Sequence, residues 1–209
     1  MFYLVKTPWW IKKIYPNCTW QMSPEEKIIY LTFDDGPHPA ITSFVLDELE
    51  KYNARATFFC IGNNVLKYPE TYKRILDKGH AVGNHSFGHP NGWKTKDAPY
   101  LDDIALAKKH IDSNLFRPPY GRISRFRVKA LASPEYGLRT VMWSVLSGDF
   151  DTALSPEQCA VNIQKNAKNG AIIVFHDSEK AEKRMRYALP VVLKYFSERE
   201  FRFEKIKLS

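Results

Sequence analysis

An α/β fold built on a mainly parallel sheet is predicted for this 209-residue chain by three observations. Short, β-rich apolar runs alternate with helical patterns along most of the sequence, as strand–helix–strand units require. Hydrophobic residues make up 44% and charged residues 26%, the balance of a globular chain able to bury a sizeable core. No internal repeat, low-complexity stretch or linker divides the chain, so it reads as a single domain.

The elements follow in order. Residues 1–24, rich in Trp and Pro, are expected to wrap the outside of a domain spanning 25–209. Strand 28–33 starts with the apolar run Ile28-Ile29-Tyr30-Leu31 and is stopped by Gly36 and Pro37. Helix 42–52 carries Phe44, Val45, Leu46 and Leu49, and strand 57–61 contains Phe58-Phe59. Helix 70–78 places Tyr72, Ile75 and Leu76 on one side, ahead of strand 80–84. Helix 102–113 has Ile104, Leu106, Ala107 and Ile111, and strands 114–117 and 140–143 follow. The next helix opens at Ser155, with Pro156 at the first helical position and Gln158 returning to the cap. Strand 171–175 precedes helix 182–198, where Pro190 predicts a kink or a break, and strand 201–206 closes the set. About seven such units fit the length, short of a full eight-unit barrel.

Composition excludes several classes. No apolar run is long enough to span a membrane. Met1–Val5 starts like an export signal, but Lys6, Pro8, Lys12 and Lys13 interrupt it, so localisation is left open. The net charge of +8 is spread over loops and helices and reads first as a solvated surface; attraction to an anionic polymer or membrane surface stays open. No interleaved aromatic and basic motif supports nucleic-acid binding. Cys18, Cys60 and Cys159 lack metal-type spacing.

Two short segments carry candidate chemistry. Thr32-Phe33-Asp34-Asp35-Gly36-Pro37 sets adjacent carboxylates at a strand end. Asp-Gly-Pro is also ordinary turn chemistry, and on this segment alone turn and site weigh evenly. The alternative to a turn is a metal ion neutralising the pair, or a pair split between two roles. His85-Ser86-Phe87-Gly88-His89 follows another strand, with a spacing that puts both imidazoles on one side of a single helical turn. Two His and one carboxylate make a recognised shell for a catalytic divalent ion.

Together with Arg117-Pro118-Pro119-Tyr120-Gly121, these segments resemble the first three motifs of the polysaccharide deacetylase family. That family comprises metal-dependent carbohydrate esterases acting on chitin, peptidoglycan and nodulation factors. The resemblance covers about residues 27–180. It implies a distorted, incomplete (β/α)7-type barrel and one divalent ion on Asp35, His85 and His89, zinc first, with cobalt or another divalent ion as the alternative. It implies Asp34 as general base, Arg117 holding Asp34, and Asp149 pairing in turn with Arg117. The oxyanion would be held by the ion and the backbone N–H of Tyr120. His176, in Val174-Phe175-His176-Asp177, would be the general acid, with Val174 lining the acetyl pocket in place of the usual leucine. Apart from the resemblance, His38 is read with the other remaining histidines as structural, in the turn after Pro37 at the margin of the candidate site.

The fourth motif departs from the family pattern Asp-Ser-x-Asp-Trp. Leu146-Ser147-Gly148-Asp149-Phe150 keeps Asp149, replaces the first Asp by Leu146 and offers Phe150 as the aromatic wall. The implied activity is removal of acetyl groups from N-acetylated amino sugars in a glycan. An O-acetyl esterase on a xylan-like glycan and a non-catalytic carbohydrate-binding relative are the alternatives.

Overall fold

The computed structural model describes residues 3–208. Its centre is β1 (Ile28–Asp34), flanked on one side by β2 (Thr57–Cys60), β3 (Ala81–Asn84), β4 (Leu115–Phe116) and β5 (Arg139–Thr140). On the other side lie β7 (Ala171–His176) and then β6 (Val145–Leu146), while β8 (Arg202–Phe203) pairs with the start of β1. All these pairings are parallel, so the strand ends at Asp34, Cys60, Asn84, Phe116 and His176 share one rim. The result is an open, incomplete barrel, as the sequence resemblance implies.

The alternation of β1 explains the layering. Ile29, Leu31 and Phe33 face the outer helices and are fully buried, with Phe33 stacked between Phe58 at 5.1 Å and Phe175 at 5.9 Å. Covering them are α2 (Pro39–Glu50), α7 (Pro156–Asn166) and α8 (Glu182–Ser197). Thr32 and Asp34 point the other way, into the barrel interior, where Phe59, Leu115, Val141 and Ile172 also pack.

The barrel stays open between its two-residue edge strands, and residues 5–21 reach both edges. Thr19 accepts from Met142 N–H and donates to the Thr140 carbonyl at 2.9 Å, while Thr7 N–H donates to Ser144 and Leu146 N–H to Val5. This segment contains α1 (Trp9–Ile14), which the sequence pattern does not announce.

Several boundaries differ from expectation for local reasons. His38 caps α2, its Nδ1 accepting from Ile41 N–H at 3.3 Å, so the helix begins at Pro39. α5 (Asp97–Lys108) starts ahead of the expected 102 because Pro99 is tolerated in a first turn. The Gln158 side chain does not return to its cap; Ser155 Oγ accepts from Gln158 N–H, while the Gln158 amide donates to Asn162 at 3.0 Å. α8 runs unbroken through Pro190, because Met185, Ala188, Leu189, Val192, Leu193 and Phe196 form one buried face that offsets the lost backbone bond. The remaining elements are α3 (Gly62–Lys67), α4 (Pro69–Asp77), α6 (Arg125–Leu131) and a 3₁₀ turn at Pro119–Gly121.

Replacing Phe33 by Ala would open a cavity between two stacked rings. A loss of about 3–5 kcal/mol in unfolding free energy is expected, read as a lower urea midpoint with unchanged slope.

Candidate active site

Asp34 and His176 end adjacent strands in direct register, both on the interior face. One residue on, at Asp35, the backbone enters the left-handed region with φ 83°. Ser86 (66°), His89 (59°) and Tyr120 (60°) do the same, so four non-glycine residues in a costly conformation gather at this rim.

The Asp35 turn is held by side-chain and backbone partners along its length. The Asp35 carbonyl accepts from Asn64 Nδ2 at 2.7 Å, and Gly36 N–H donates to Asp177 Oδ1 at 3.0 Å. The Gly36 carbonyl accepts from Ile61 N–H at 2.9 Å, and His38 N–H donates to Thr42 Oγ1 at 2.8 Å. Thr42 in turn donates to Asp177 Oδ2 at 2.5 Å. A Cβ on residue 36 would lie 2.1 Å from Asp177 Oδ2, so only glycine fits. Burial pushes the Asp177 carboxyl up to about 7, with the charge of Asp35 adding to the rise against the hydrogen bonds from Thr42 and Gly36. Asp177, Asn64 and Thr42 were given no role by the sequence reading. Asp177 stands next to His176 in a segment already singled out, whereas nothing local marks Asn64.

Asp35, His85 and His89 each bring a ligand atom within 4.8 Å of the others. His85 Nε2 lies 3.6 Å and His89 Nε2 3.3 Å from Asp35 Oδ1. The histidines do not share a helical turn: residues 85–89 form a loop. Asn84 Oδ1 accepts from Ser86 N–H, Asp103 from the N–H groups of Phe87 and Gly88, and Ser86 Oγ from His89 N–H. His85 Nδ1 is 2.8 Å from the Arg117 carbonyl, and His89 Nδ1 is 3.2 Å from Tyr120 Oη. A carbonyl can only accept, so His85 carries its proton on Nδ1 and turns the Nε2 lone pair to the triad. Burial lowers the His85 pKa to about 4, keeping it neutral as a ligand must be. Burial raises Asp35, but the His89 hydrogen bond and the neighbouring imidazoles of His176, His85 and His89 outweigh it, leaving Asp35 well below the carboxylate range. Two imidazoles and an ionised carboxylate converging on one point fit a divalent ion.

Arg117 is fully buried and donates through Nη1 to Asp34 Oδ1 at 2.8 Å and to Thr32 Oγ1 at 2.6 Å. The resemblance pairs Asp149 with Arg117, and the structure corrects this. Asp149 Oδ1 lies 2.8 Å from His176 Nδ1, its Oδ2 accepts from His176 N–H at 2.8 Å, and Arg117 turns instead to the Val141 and Met142 carbonyls. The reason is topological, since β6 lies beside β7 and delivers Asp149 to the end of β7. Burial lowers the His176 pKa, but the Asp149 charge and hydrogen bond, with Asp35 and Asp34, raise it to about 9.

Phe150 meets the His176 ring edge-on at 5.3 Å and Tyr3 at 4.9 Å. Val174, two residues before His176, shares its interior face and is buried. Leu146 is buried in β6, paired with Val174 and with the Val5 backbone. His38 caps α2.

An open parallel barrel with an ion-binding triad, a buried carboxylate and a carboxylate–histidine pair on one rim is the equipment of a metal-assisted hydrolase. The chain belongs to the polysaccharide deacetylase family, which it matches over residues 21–141, and is a hydrolase of that family. It is 38% identical to a peptidoglycan-N-acetylglucosamine deacetylase of Bacillus cereus, over 88% of this chain and 89% of that protein. It is 36% identical to a chitooligosaccharide deacetylase of Azorhizobium caulinodans, over 75% of this chain and 77% of that protein. The crystal structure of the Bc1960 peptidoglycan N-acetylglucosamine deacetylase with 4-naphthalen-1-yl-N-oxidanyl-benzamide superposes with a TM-score of 0.86. That match has 28% identity and covers 96% of this chain and 95% of the other.

Asp177→Ala removes the anchor of the Asp35 turn without touching the triad. The affinity of the triad for an added divalent ion, measured by chelator competition, is expected to fall about 10–100-fold. In metal-free Asp149→Asn protein, the His176 titration followed by NMR should move down from about 9. His176 has a folded pKa above its unfolded value near 6.5, so its contribution to stability is fully present below that value. It is lost as pH rises through about 9. The stability gap between wild type and Asp149→Asn should therefore narrow over that window.

Proposed function

We propose that this protein hydrolyses the acetamido group of N-acetylated amino sugars in a chitin- or peptidoglycan-like glycan, with zinc held by Asp35, His85 and His89. The observation that carries this reading is the register pairing of Asp34 with His176, each tied to its own partner of opposite charge. The names of the Bacillus and Azorhizobium relatives support N-acetyl over O-acetyl substrates. The ion, when bound, supplies Lewis acidity toward the acetyl carbonyl.

The chain's own residues do the rest. Arg117 fixes one oxygen of Asp34, leaving the other to take a proton from the attacking water. The oxygen–carbon bond forms, the carbon–nitrogen bond breaks, and the amine leaves with a proton from His176. Asp149 holds His176 Nδ1, so Nε2 is the atom that gives up this proton. The backbone N–H of Tyr120 serves the oxyanion, which for one such donor is worth about 2.7–4 kcal/mol. Val174 receives the acetyl methyl, and Phe150 walls the groove beside His176.

The test is acetate release from chitin oligosaccharides, peptidoglycan fragments and acetylated xylan, with zinc and with chelator. Activity on the two amino-sugar substrates, lost on chelation, is expected; release from xylan alone would overturn the substrate assignment. Asp34→Asn is expected to lose about 10²–10⁴-fold in rate while retaining zinc.

A further inference from the structure

A cavity of about 80 Å³, sharing no residue with the rim site, opens beside the segment that bridges the sheet edges. Its lining includes Lys6, Lys12 and Lys168 with Asn166 and Asn169, and contains no carboxylate. Among the described residues, none of the three lysines forms a salt bridge; Lys12 Nζ reaches only the Gln21 amide oxygen, at 2.6 Å. Burial and the charge of Lys6 both hold the Lys12 ammonium below its ordinary range, a mark of cations gathered without a counter-charge. The space is several times the roughly 10–15 Å³ that a water requires. Its chemistry suits a phosphate group.

What lies beside the cavity identifies the source of that phosphate. Lys12 belongs to α1, a helix with no buried residue. Trp9 (68% exposed), Trp10 (49%) and Ile14 (45%) face outward from it. Trp9 is one turn from Lys12, and Lys13 Nζ sits 4.9 Å over the Trp9 ring. Hydrogen bonds from Thr7 N–H to Ser144 and from Thr19 N–H to Thr140 pin the chain on either side of the helix. Exposed tryptophans next to unpaired lysines on a fixed helix match the interface of an anionic bilayer, where indoles settle at headgroup depth.

We propose that α1 and the Lys6–Lys12–Lys168 cavity form a docking surface for an anionic phospholipid membrane, the cavity taking a headgroup phosphate and Trp9, Trp10 and Ile14 entering the interface. This goes beyond the hydrolytic reading and does not rest on it.

Co-sedimentation of the full chain with phosphatidylglycerol–phosphatidylcholine vesicles, against phosphatidylcholine alone, tests it. Preferential binding to the anionic vesicles is expected. The Lys6→Gln/Lys168→Gln variant should weaken it about 20–30-fold, at about fivefold per lysine. Trp9→Ser/Trp10→Ser should weaken it independently, with unchanged melting by circular dichroism showing that both variants remain folded. Equal binding to both vesicle types, no binding to either, or wild-type binding by the lysine variant would overturn the proposal. Lysine amine shifts on adding inorganic phosphate, without vesicle binding, would overturn the lipid assignment.

Discussion

The buried guanidinium of Arg117 is the constraint on which the rim depends. A charge with no solvent exposure is stable only when paired and hydrogen-bonded. Here Nε and Nη2 donate to the Val141 and Met142 carbonyls, Nη1 serves Thr32 and Asp34, and the plane lies 4.1 Å over Phe59. These bonds join β1 to the chain after β5 across the barrel interior. The carbonyl of the same residue orients His85. One residue therefore sets both Asp34, the carboxylate proposed to accept a proton, and His85, one arm of the proposed ion site, and the two cannot shift independently.

Around this fixed centre, strain is confined to the loops that leave the strands. Asp35, Ser86, His89 and Tyr120 keep positive φ because neighbouring groups bind the turns that hold them. Asp177 and Asn64 clamp the first turn, and Asp103 clamps the second. The strands supply position and the loops supply direction. This is why two carboxylates adjacent in sequence serve different neighbours: Asp34 ends a strand and points inward, whereas Asp35 has already left it.

That division sets what the sequence could show. The long buried strands β1 and β7 announce themselves by continuous apolar runs, and Asp34, Asp35, His85 and His89 stand at or just beyond strand ends in spacings a sequence can show, whereas His176 is marked only by the family resemblance. The pairing of Asp149 with His176 was hidden because it depends on β6, a two-residue strand too short to leave a periodic signal. Without the β6–β7 neighbourhood, no local feature favours His176 over Arg117. The histidine spacing suggested a helical turn, yet Ser86, Gly88 and Asp103 shape a loop that brings the rings to 5.1 Å. Pro190 misled for the opposite reason, since tertiary burial along α8 outweighed a local rule.

The electrostatics of the rim lead one step further. Among the described residues, the one permanent cation bonded to the carboxylates of Asp34, Asp35 and Asp149 is Arg117, on Asp34; Arg184 reaches the backbone carbonyl of Asp149, and Asp177 adds a fourth carboxyl. Against its own burial, the charge and hydrogen bond of Asp149, with the charges of Asp35 and Asp34, lift His176 to about 9. A divalent ion held by Asp35, His85 and His89, as proposed above, would add positive charge to the same enclosure, so ion and proton would oppose one another there. Occupancy would lower the His176 pKa, and protonation of His176 would weaken the hold on the ion. An acid held at about 9 would surrender its proton reluctantly, whereas one drawn nearer to neutral pH both gives and regains it. In the proposed mechanism these carboxylates would couple filling of the ion site to the readiness of His176 through charge alone, with no movement of the backbone required.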